Sequence, residues 1–128
     1  MRTLLDTHAF LWWISDSPEL SERAREVMAD ERNELLFSVV SGWEIAVKAG
    51  LGKLELPDVP AKFVTGQISS NDIEVLPIYL AHAMRVHDLP EYHRDPFDRL
   101  LVAQALVEEL PLISGDQEIS RYPVETIW

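Results

Sequence analysis

The sequence predicts an α/β fold, specifically a three-layer α/β/α sandwich around a mostly parallel sheet. Short apolar segments alternate along the chain with segments of helical periodicity, as strands and helices do in α/β domains. Two of the apolar segments, 4–5 and 112–113, are followed closely by a carboxylate, Asp6 and Asp116. This pattern is typical of buried parallel strands, whose carboxyl ends open onto the crevice where α/β proteins bind their ligands.

Five segments have the length and composition of strands. The first carries the apolar pair that precedes Asp6, and the third is closed by Pro77. The fourth leads into a Gly-Asp turn, and the last is expected at an edge of the sheet. The predicted strands are 3–8, 35–37, 73–76, 111–114 and 124–127.

Six segments are predicted to be helical. Ser21 is a suitable N-cap for the second, where apolar residues recur at helical spacing. The third is expected to open at Ser41 and to stop at Gly50 and Gly52. The last is apolar on most sides, which indicates that it packs deeply against the sheet. The predicted helices are 9–14, a segment starting at Ser21, 41–50, 61–68, 79–87 and 97–109.

Length and composition fit one domain over residues 1–128. Eleven Lys and Arg against 22 Asp and Glu give a formal net charge of −11, which disfavours nucleic-acid binding through a basic patch. An acidic protein can still act on nucleic acid where a divalent cation supplies local positive charge. The chain has no cysteine, no signal-peptide pattern and no apolar run long enough to span a bilayer, so a cytoplasmic protein is expected.

Four acids follow predicted strands or open predicted helices: Asp6, Glu44, Asp98 and Asp116. Right-handed crossovers place the carboxyl ends of parallel strands on one rim, so these side chains are expected to lie close together. Carboxylates that share a site repel one another, and a hard divalent cation such as Mg2+ or Mn2+ relieves that repulsion. Such a pocket favours chemistry on phosphoryl or phosphodiester groups.

Each acid also has a structural explanation. Asp6 is placed to cap the following helix, and a Gly-Asp turn accounts for Asp116. Glu44 matches the glutamate of an S-x-x-E capping box. With Asp95 as an N-cap, Asp98 falls in the first helical turn, where the macrodipole favours an acid.

Other common sites are absent from the sequence. The four histidines form neither an i, i+4 pair nor an H-E-x-x-H motif, so a zinc site is not predicted. The chain lacks a Gly-rich phosphate loop, a G-x-S-x-G motif and a cysteine nucleophile.

Four motifs occur in series: L-L-D-T-H at 4–8, S-x-W-E-I-A-x-K at 41–48, D-P-F-D-R-L-L-V-A-Q-A at 95–105 and L-I-S-x-D at 112–116. Together they resemble the PIN-domain ribonucleases, and more narrowly the VapC-type toxins of type II toxin–antitoxin systems. The resemblance implies a metal-dependent endoribonuclease with an RNA substrate, a homodimer, and a VapB-type antitoxin that covers the acidic pocket.

The resemblance also implies roles for individual residues. The implied ligands of Mg2+ or Mn2+, which are also the catalytic residues, are Asp6, Glu44, Asp98 and Asp116. Thr7 would support Asp6 by hydrogen bonding, and Ser114 would support the last acid. Asp95 departs from the family pattern as a second acid three residues before Asp98, and the helix register favours Asp98 as the ligand.

Two other functions remain compatible with the sequence. One is a receiver-like domain that accepts a phosphoryl group on aspartate, although the first strand ends in one acid rather than an adjacent pair. The other is a non-catalytic interaction module whose acidic pocket receives a basic partner. Lys48, Arg94 and Arg99 are candidates either for contacts to substrate phosphates or for ordinary surface ion pairs.

Overall fold

Strands and helices alternate in the computed structural model, which describes all 128 residues, 1–128. The strands are β1 (Arg2–Leu5), β2 (Glu34–Ser38), β3 (Glu74–Leu76), β4 (Leu112–Ile113) and β5 (Thr126–Ile127). The helices are α1 (Thr7–Ile14), α2 (Glu22–Ala29), α3 (Val39–Gly50), α4 (Pro60–Ser70), α5 (Leu80–Arg85) and α6 (Pro96–Val107). Two single 3-10 turns cover Val86–Asp88 and Ile119–Arg121.

The five strands form one parallel sheet in the order β3-β2-β1-β4-β5. β1 lies in the middle, with Leu5 opposite Phe37 of β2 and Ile113 of β4. The chain builds outward from β1 through β2 to β3 and then returns to the other side of β1 with β4. The strand order therefore reverses between β1 and β4, and such a switch point opens a crevice at the carboxyl edge of the sheet.

Neighbouring residues along each strand supply two cores on opposite faces of the sheet. Leu5 and Phe37 pack in the core covered by α1, α2, α3 and α4. Leu4 and Leu36 pack in the core covered mainly by α6. Because a parallel sheet is buried on both faces, its strands are apolar without alternation. The predicted three-layer α/β/α sandwich is confirmed.

The predicted opening of the third helix at Ser41 is wrong. β2 runs directly into α3 at Val39, and the Ser38 hydroxyl caps the helix by accepting a 2.9 Å hydrogen bond from the Val40 amide. The two valines have the β-branched composition of a strand, which concealed the helix start. Glu44 therefore lies in the second turn of α3, and a capping box does not explain it.

Smaller differences occur at other element ends. The predicted helix 79–87 ends as α5 at Arg85 and continues as a 3-10 turn, and the edge strand begins at Thr126 rather than at residue 124. None of the six helices combines the length and apolarity needed to cross a bilayer.

Candidate metal centre at the carboxyl edge of the sheet

Asp6 follows β1 directly and is buried at the start of α1. Its Oδ1 accepts a 2.6 Å hydrogen bond from the Ala9 amide, so the predicted capping role is confirmed. Burial raises the pKa of Asp6, hydrogen bonds from Ser114 and the Ala9 amide lower it, and the charge of Asp116 raises it. The carboxyl group thus lies in a desolvated place beside a second acid.

Glu44 is buried in α3 and is held by the adjacent helix α1. The Thr7 hydroxyl donates a 2.7 Å hydrogen bond to Glu44 Oε1 and lies 2.9 Å from Ser41 Oγ. Thr7 therefore contacts Glu44, whereas the sequence analysis placed it beside Asp6. The other carboxylate oxygen, Oε2, accepts a hydrogen bond from Lys48 Nζ.

Lys48 pairs with one of these acids, Glu44. The hydrogen bond to Glu44 is the main cause that raises the pKa of Lys48, and the charges of Asp95 and Asp98 add to it. The lysine side chain is 38% exposed, whereas that of Glu44 is 6% exposed. The partly exposed ammonium group of Lys48 therefore pairs with the buried carboxylate of Glu44.

Asp95 and Asp98 divide two roles at the start of α6. Asp95 is the N-cap and accepts hydrogen bonds from the amides of Phe97 (2.9 Å) and Asp98 (3.2 Å), as predicted. Asp98 Oδ2 lies 3.2 Å from His93 Nε2. Burial and the charge of Asp95 raise the pKa of Asp98 to about 6, although the contact with His93 lowers it.

Asp116 and Ser114 follow β4, the neighbour of β1. The Asp116 amide donates a 3.1 Å hydrogen bond to Ser114 Oγ, and Asp116 Oδ1 accepts one of 2.8 Å from the Glu118 amide. Ser114 also acts on Asp6, whose pKa it lowers. One buried serine therefore links the acids that follow the two strands on either side of the switch point.

The acids act on one another across the rim. The charges of Asp116 and Glu44 both raise the pKa of Asp98, and the charge of Asp116 also raises the pKa of Asp6. The fold therefore brings the four predicted acids, which are far apart in the sequence, into one field of negative charge. Lys48 is a cation coupled to that field.

No group of three or more Asp, Glu or His side chains is already arranged to hold a metal ion. The donor set nevertheless fits a hard divalent cation. The four side chains offer only carboxylate oxygens, which are the ligands that such ions prefer. The pKa values of Asp6 and Asp98 are raised by burial and by the charges of neighbouring acids. Glu44 already binds a cationic group, the ammonium of Lys48. Asp6, Glu44, Asp98 and Asp116 are the residues that could hold such an ion.

Sequence reasoning missed several contacts around these acids. His93 bridges Asp98 and the buried Tyr122, whose hydroxyl is 2.8 Å from His93 Nδ1 and 2.9 Å from Arg99. Arg99 also donates to the Pro90 carbonyl, so it is committed to internal contacts, whereas Arg94 is exposed beside the same region. The only signal in the sequence is the short spacing from His93 to Asp98.

Two concave surfaces open from the rim. The larger has a volume of about 780 Å3 and lies between α1, α3 and α4, running from Glu44 and Lys48 to apolar side chains that include Leu54 and Phe63. The smaller has a volume of about 380 Å3, and both Asp6 and Asp116 line it. Three of the four acids therefore line these grooves, Glu44 the larger and Asp6 and Asp116 the smaller.

The chain resembles proteins of one known family. A family model described as the PIN domain matches residues 3–125. Ribonuclease VapC22 of Mycobacterium tuberculosis is 26% identical over 131 residues, which cover 98% of this chain and 97% of VapC22. Ribonuclease VapC16 of the same organism is 36% identical over 58 residues, which cover 45% of this chain and 41% of VapC16.

Solved structures share the fold. VapBC2 from Rickettsia felis, bound to a DNA fragment from its promoter, superposes with a TM-score of 0.72 at 17% identity and covers 100% of both chains. VapBC-1 from nontypeable Haemophilus influenzae gives a TM-score of 0.65 at 15% identity, covering 98% of this chain and 96% of that one. VapBC-5 from Mycobacterium tuberculosis gives 0.60 at 20% identity with the same coverage.

These comparisons confirm the resemblance to VapC-type PIN-domain ribonucleases that the four sequence motifs indicate. Since the family model spans almost the whole sequence, this chain belongs to the PIN-domain family.

Proposed function

We propose that this protein is a VapC-type endoribonuclease that hydrolyses RNA phosphodiester bonds with Mg2+ or Mn2+. The observation that carries the proposal is the gathering of four acids from four separate segments into one field of negative charge, in a chain of the PIN-domain family. The full-length similarity to ribonuclease VapC22 supports it. We propose that the protein acts in the cytoplasm.

In this proposal Asp6 and Asp98 hold the main ion, and Glu44 and Asp116 complete the pocket. Thr7 fixes one oxygen of Glu44, and Ser114 holds Asp6 and the Asp116 turn together. A bound divalent ion supplies an activated water and positive charge for the oxygens of the phosphodiester. The protein supplies buried, oriented carboxylates for that ion.

The test is RNA cleavage by the Asp6→Asn variant. Asp6→Asn keeps an oxygen that can cap α1 but removes the charge, so cleavage in Mg2+ or Mn2+ is expected to be lost while the far-UV spectrum is retained. Asp30→Asn is the matched control, because Asp30 pairs with Arg32 near the N-terminal amine, away from the acidic rim. Cleavage by Asp6→Asn at the wild-type rate would reject the assignment.

We propose that the partner is a VapB-type antitoxin, one of whose segments lies in the 780 Å3 groove. The groove is apolar along much of its length and ends at Glu44 and Lys48, so a segment lying there covers Glu44. Leu54→Arg is expected to keep RNA cleavage but resist inhibition by the protein encoded next to this gene. If the antitoxin inhibits Leu54→Arg as strongly as the wild type, it does not bind in this groove.

We propose that the protein is a homodimer. α3 exposes Val39, Trp43 and Val47 at positions i, i+4 and i+8, and α5 exposes Leu80 and Met84 at i and i+4. Leu80 is 74% exposed and Met84 61%, which is unusual for large apolar side chains on neighbouring turns. A second copy of this chain would cover such a face.

The match to the PIN domain and the full-length similarity to a ribonuclease favour neither a receiver-like phospho-acceptor nor a non-catalytic interaction module with an acidic pocket.

A further inference from the structure

The smaller groove beside the acids is walled by aromatic rings. Asp6 and Asp116 line this cavity of about 380 Å3 together with His8, Trp12 and Trp128. Glu19 completes the polar part of the lining. None of these three aromatic side chains is a ligand in the proposed metal site, and the charge of His8 lowers the pKa of Asp6.

The rings form a continuous series. His8 and Trp12 are one turn apart on α1, and their rings stack with centroids 5.2 Å apart and planes inclined by 20°. The Trp12 ring meets that of Trp128, which follows β5, at 5.9 Å and 52°. His8 is exposed, and both tryptophans are half-buried, so part of their ring surface faces solvent.

Gly115 makes the position of Trp128 possible. A Cβ at residue 115 would lie 2.4 Å from the indole of Trp128, closer than any real contact. The glycine between Ser114 and Asp116 is therefore required for space, since its backbone does not adopt a positive φ. The turn that carries Asp116 and the position of the Trp128 ring are coupled.

We propose that this aromatic wall is a subsite that stacks one unpaired nucleobase of the RNA next to the bond being cut. Glu19 is the acid of the lining that the proposed metal site does not use, and its charge disfavours a phosphate, whereas a base is neutral and presents flat π-faces. Aromatic side chains bind single-stranded nucleic acid by such stacking. The cavity has room for one nucleotide unit and opens directly onto the acids.

The inference rests on the proposed ribonuclease function and adds a substrate subsite to it. Trp128 is the residue that tests it best, because His8 and Trp12 also line the larger groove whereas Trp128 does not. A change at Trp128 therefore tests the base subsite without altering the groove proposed for the antitoxin.

Trp13 provides a matched control. It is a half-buried tryptophan on the same helix that packs against the same core, but its Nε1 donates to Asn71 Oδ1 at 3.2 Å, and it lines neither groove. Trp13→Leu therefore reports the effect of losing a tryptophan from this layer without touching the aromatic wall.

The experiment compares cleavage of single-stranded RNA oligonucleotides that carry one abasic residue at successive positions around the mapped cleavage site. In the wild type, one position is expected to lower kcat/KM about tenfold, mainly through KM, as loss of one stacked base does. Trp128→Leu is expected to remove that discrimination between intact and abasic RNA, whereas Trp128→Phe and Trp13→Leu retain it. Gly115→Ala, which displaces the indole without deleting it, is expected to act like Trp128→Leu.

Discrimination in Trp128→Leu or Gly115→Ala equal to that of the wild type would overturn the subsite. The subsite would also be overturned by variants that cleave RNA normally but are no longer inhibited by the antitoxin, because the cavity would then bind the protein partner. If the wild-type protein cuts no RNA of any sequence, the proposed function itself fails, and that result is seen before any Trp128 variant is made.

Discussion

The Thr7 hydroxyl donates a 2.7 Å hydrogen bond to Glu44 Oε1, which joins the first turn of α1 to the second turn of α3. Both residues are buried, and Glu44 has Lys48 as its other partner. Thr7 follows Asp6 directly, so the same turn of chain holds one acid of the rim and orients another.

Thr7→Val is expected to lower kcat for RNA cleavage about 10- to 100-fold, the usual effect of losing a group that orients a metal ligand. Valine keeps the shape of the side chain but leaves Glu44 Oε1 without its donor. Thr7→Ser is expected to restore most of the rate. Thr65→Val is the control, because Thr65 is exposed and its hydroxyl bonds only carbonyls of its own helix. Unchanged cleavage by Thr7→Val would show that this bond does not matter to the site.

Lys48→Met is expected to make the metal-free protein less stable and its stabilisation by Mn2+ larger. Removing the ammonium leaves buried Glu44 without its cation, at a cost of about 1 kcal/mol because the lysine end is partly exposed. The vacated carboxylate oxygen then becomes available to a metal ion. Melting curves in EDTA and in Mn2+ measure both effects, with exposed Lys62→Met as the control. An Mn2+-induced shift smaller than that of the wild type would contradict the competition between Lys48 and the metal.

The metal-free protein is expected to lose stability as the pH rises from about 4 to about 6. Burial and the charge of Asp95 raise the pKa of Asp98 from 3.8 to about 6, so the folded state binds more protons than the unfolded state between these values. Stability is fully present below the lower value and declines as the pH rises through the higher one. Denaturant unfolding in EDTA is expected to show a shallower decline for Asp98→Asn, which stays neutral. Identical pH profiles would indicate that Asp98 has an ordinary pKa.

If the protein forms the proposed homodimer, Leu80→Glu is expected to convert it into a monomer. The substitution places a charge in the middle of the exposed apolar side chains of α5, where a second copy would have to desolvate it. Light scattering after size-exclusion chromatography measures the mass. Leu51→Glu, at an exposed leucine beyond the end of α3, is expected to remain dimeric. A wild-type protein that is monomeric at every concentration would refute the dimer directly.

The sequence was sufficient for the fold class and for the positions of Asp6, Asp98 and Asp116, because these are encoded locally, whereas Glu44 was expected in the first turn of α3 and lies in the second. An apolar strand followed at once by an acid, as at Leu5 and Asp6, predicts a buried parallel strand and the edge where its side chain lies. The Asp95-Pro96 pair likewise marks the start of α6, and the structure has the helix begin there.

The missed features depend on contacts between distant segments. Ser38 was not recognised as the cap of α3, and its hydroxyl also hydrogen-bonds the buried Gln104 of α6, a contact that no local pattern carries. The same is true of His93 with Tyr122 and of Gly115 beneath the Trp128 ring. Each of these pairs meets only after the sheet has been assembled.

The central claim is that four acids form one divalent-metal site, and Mn2+ binding to the purified protein tests it most directly. Titration calorimetry is expected to show that the charge-removing variants Asp6→Asn, Glu44→Gln, Asp98→Asn and Asp116→Asn each bind Mn2+ about tenfold or more weakly than the wild type. Asp30→Asn is expected to bind it as the wild type does. Mn2+ affinity that is unchanged in all four variants, or no binding by the wild type at millimolar Mn2+, would contradict the account.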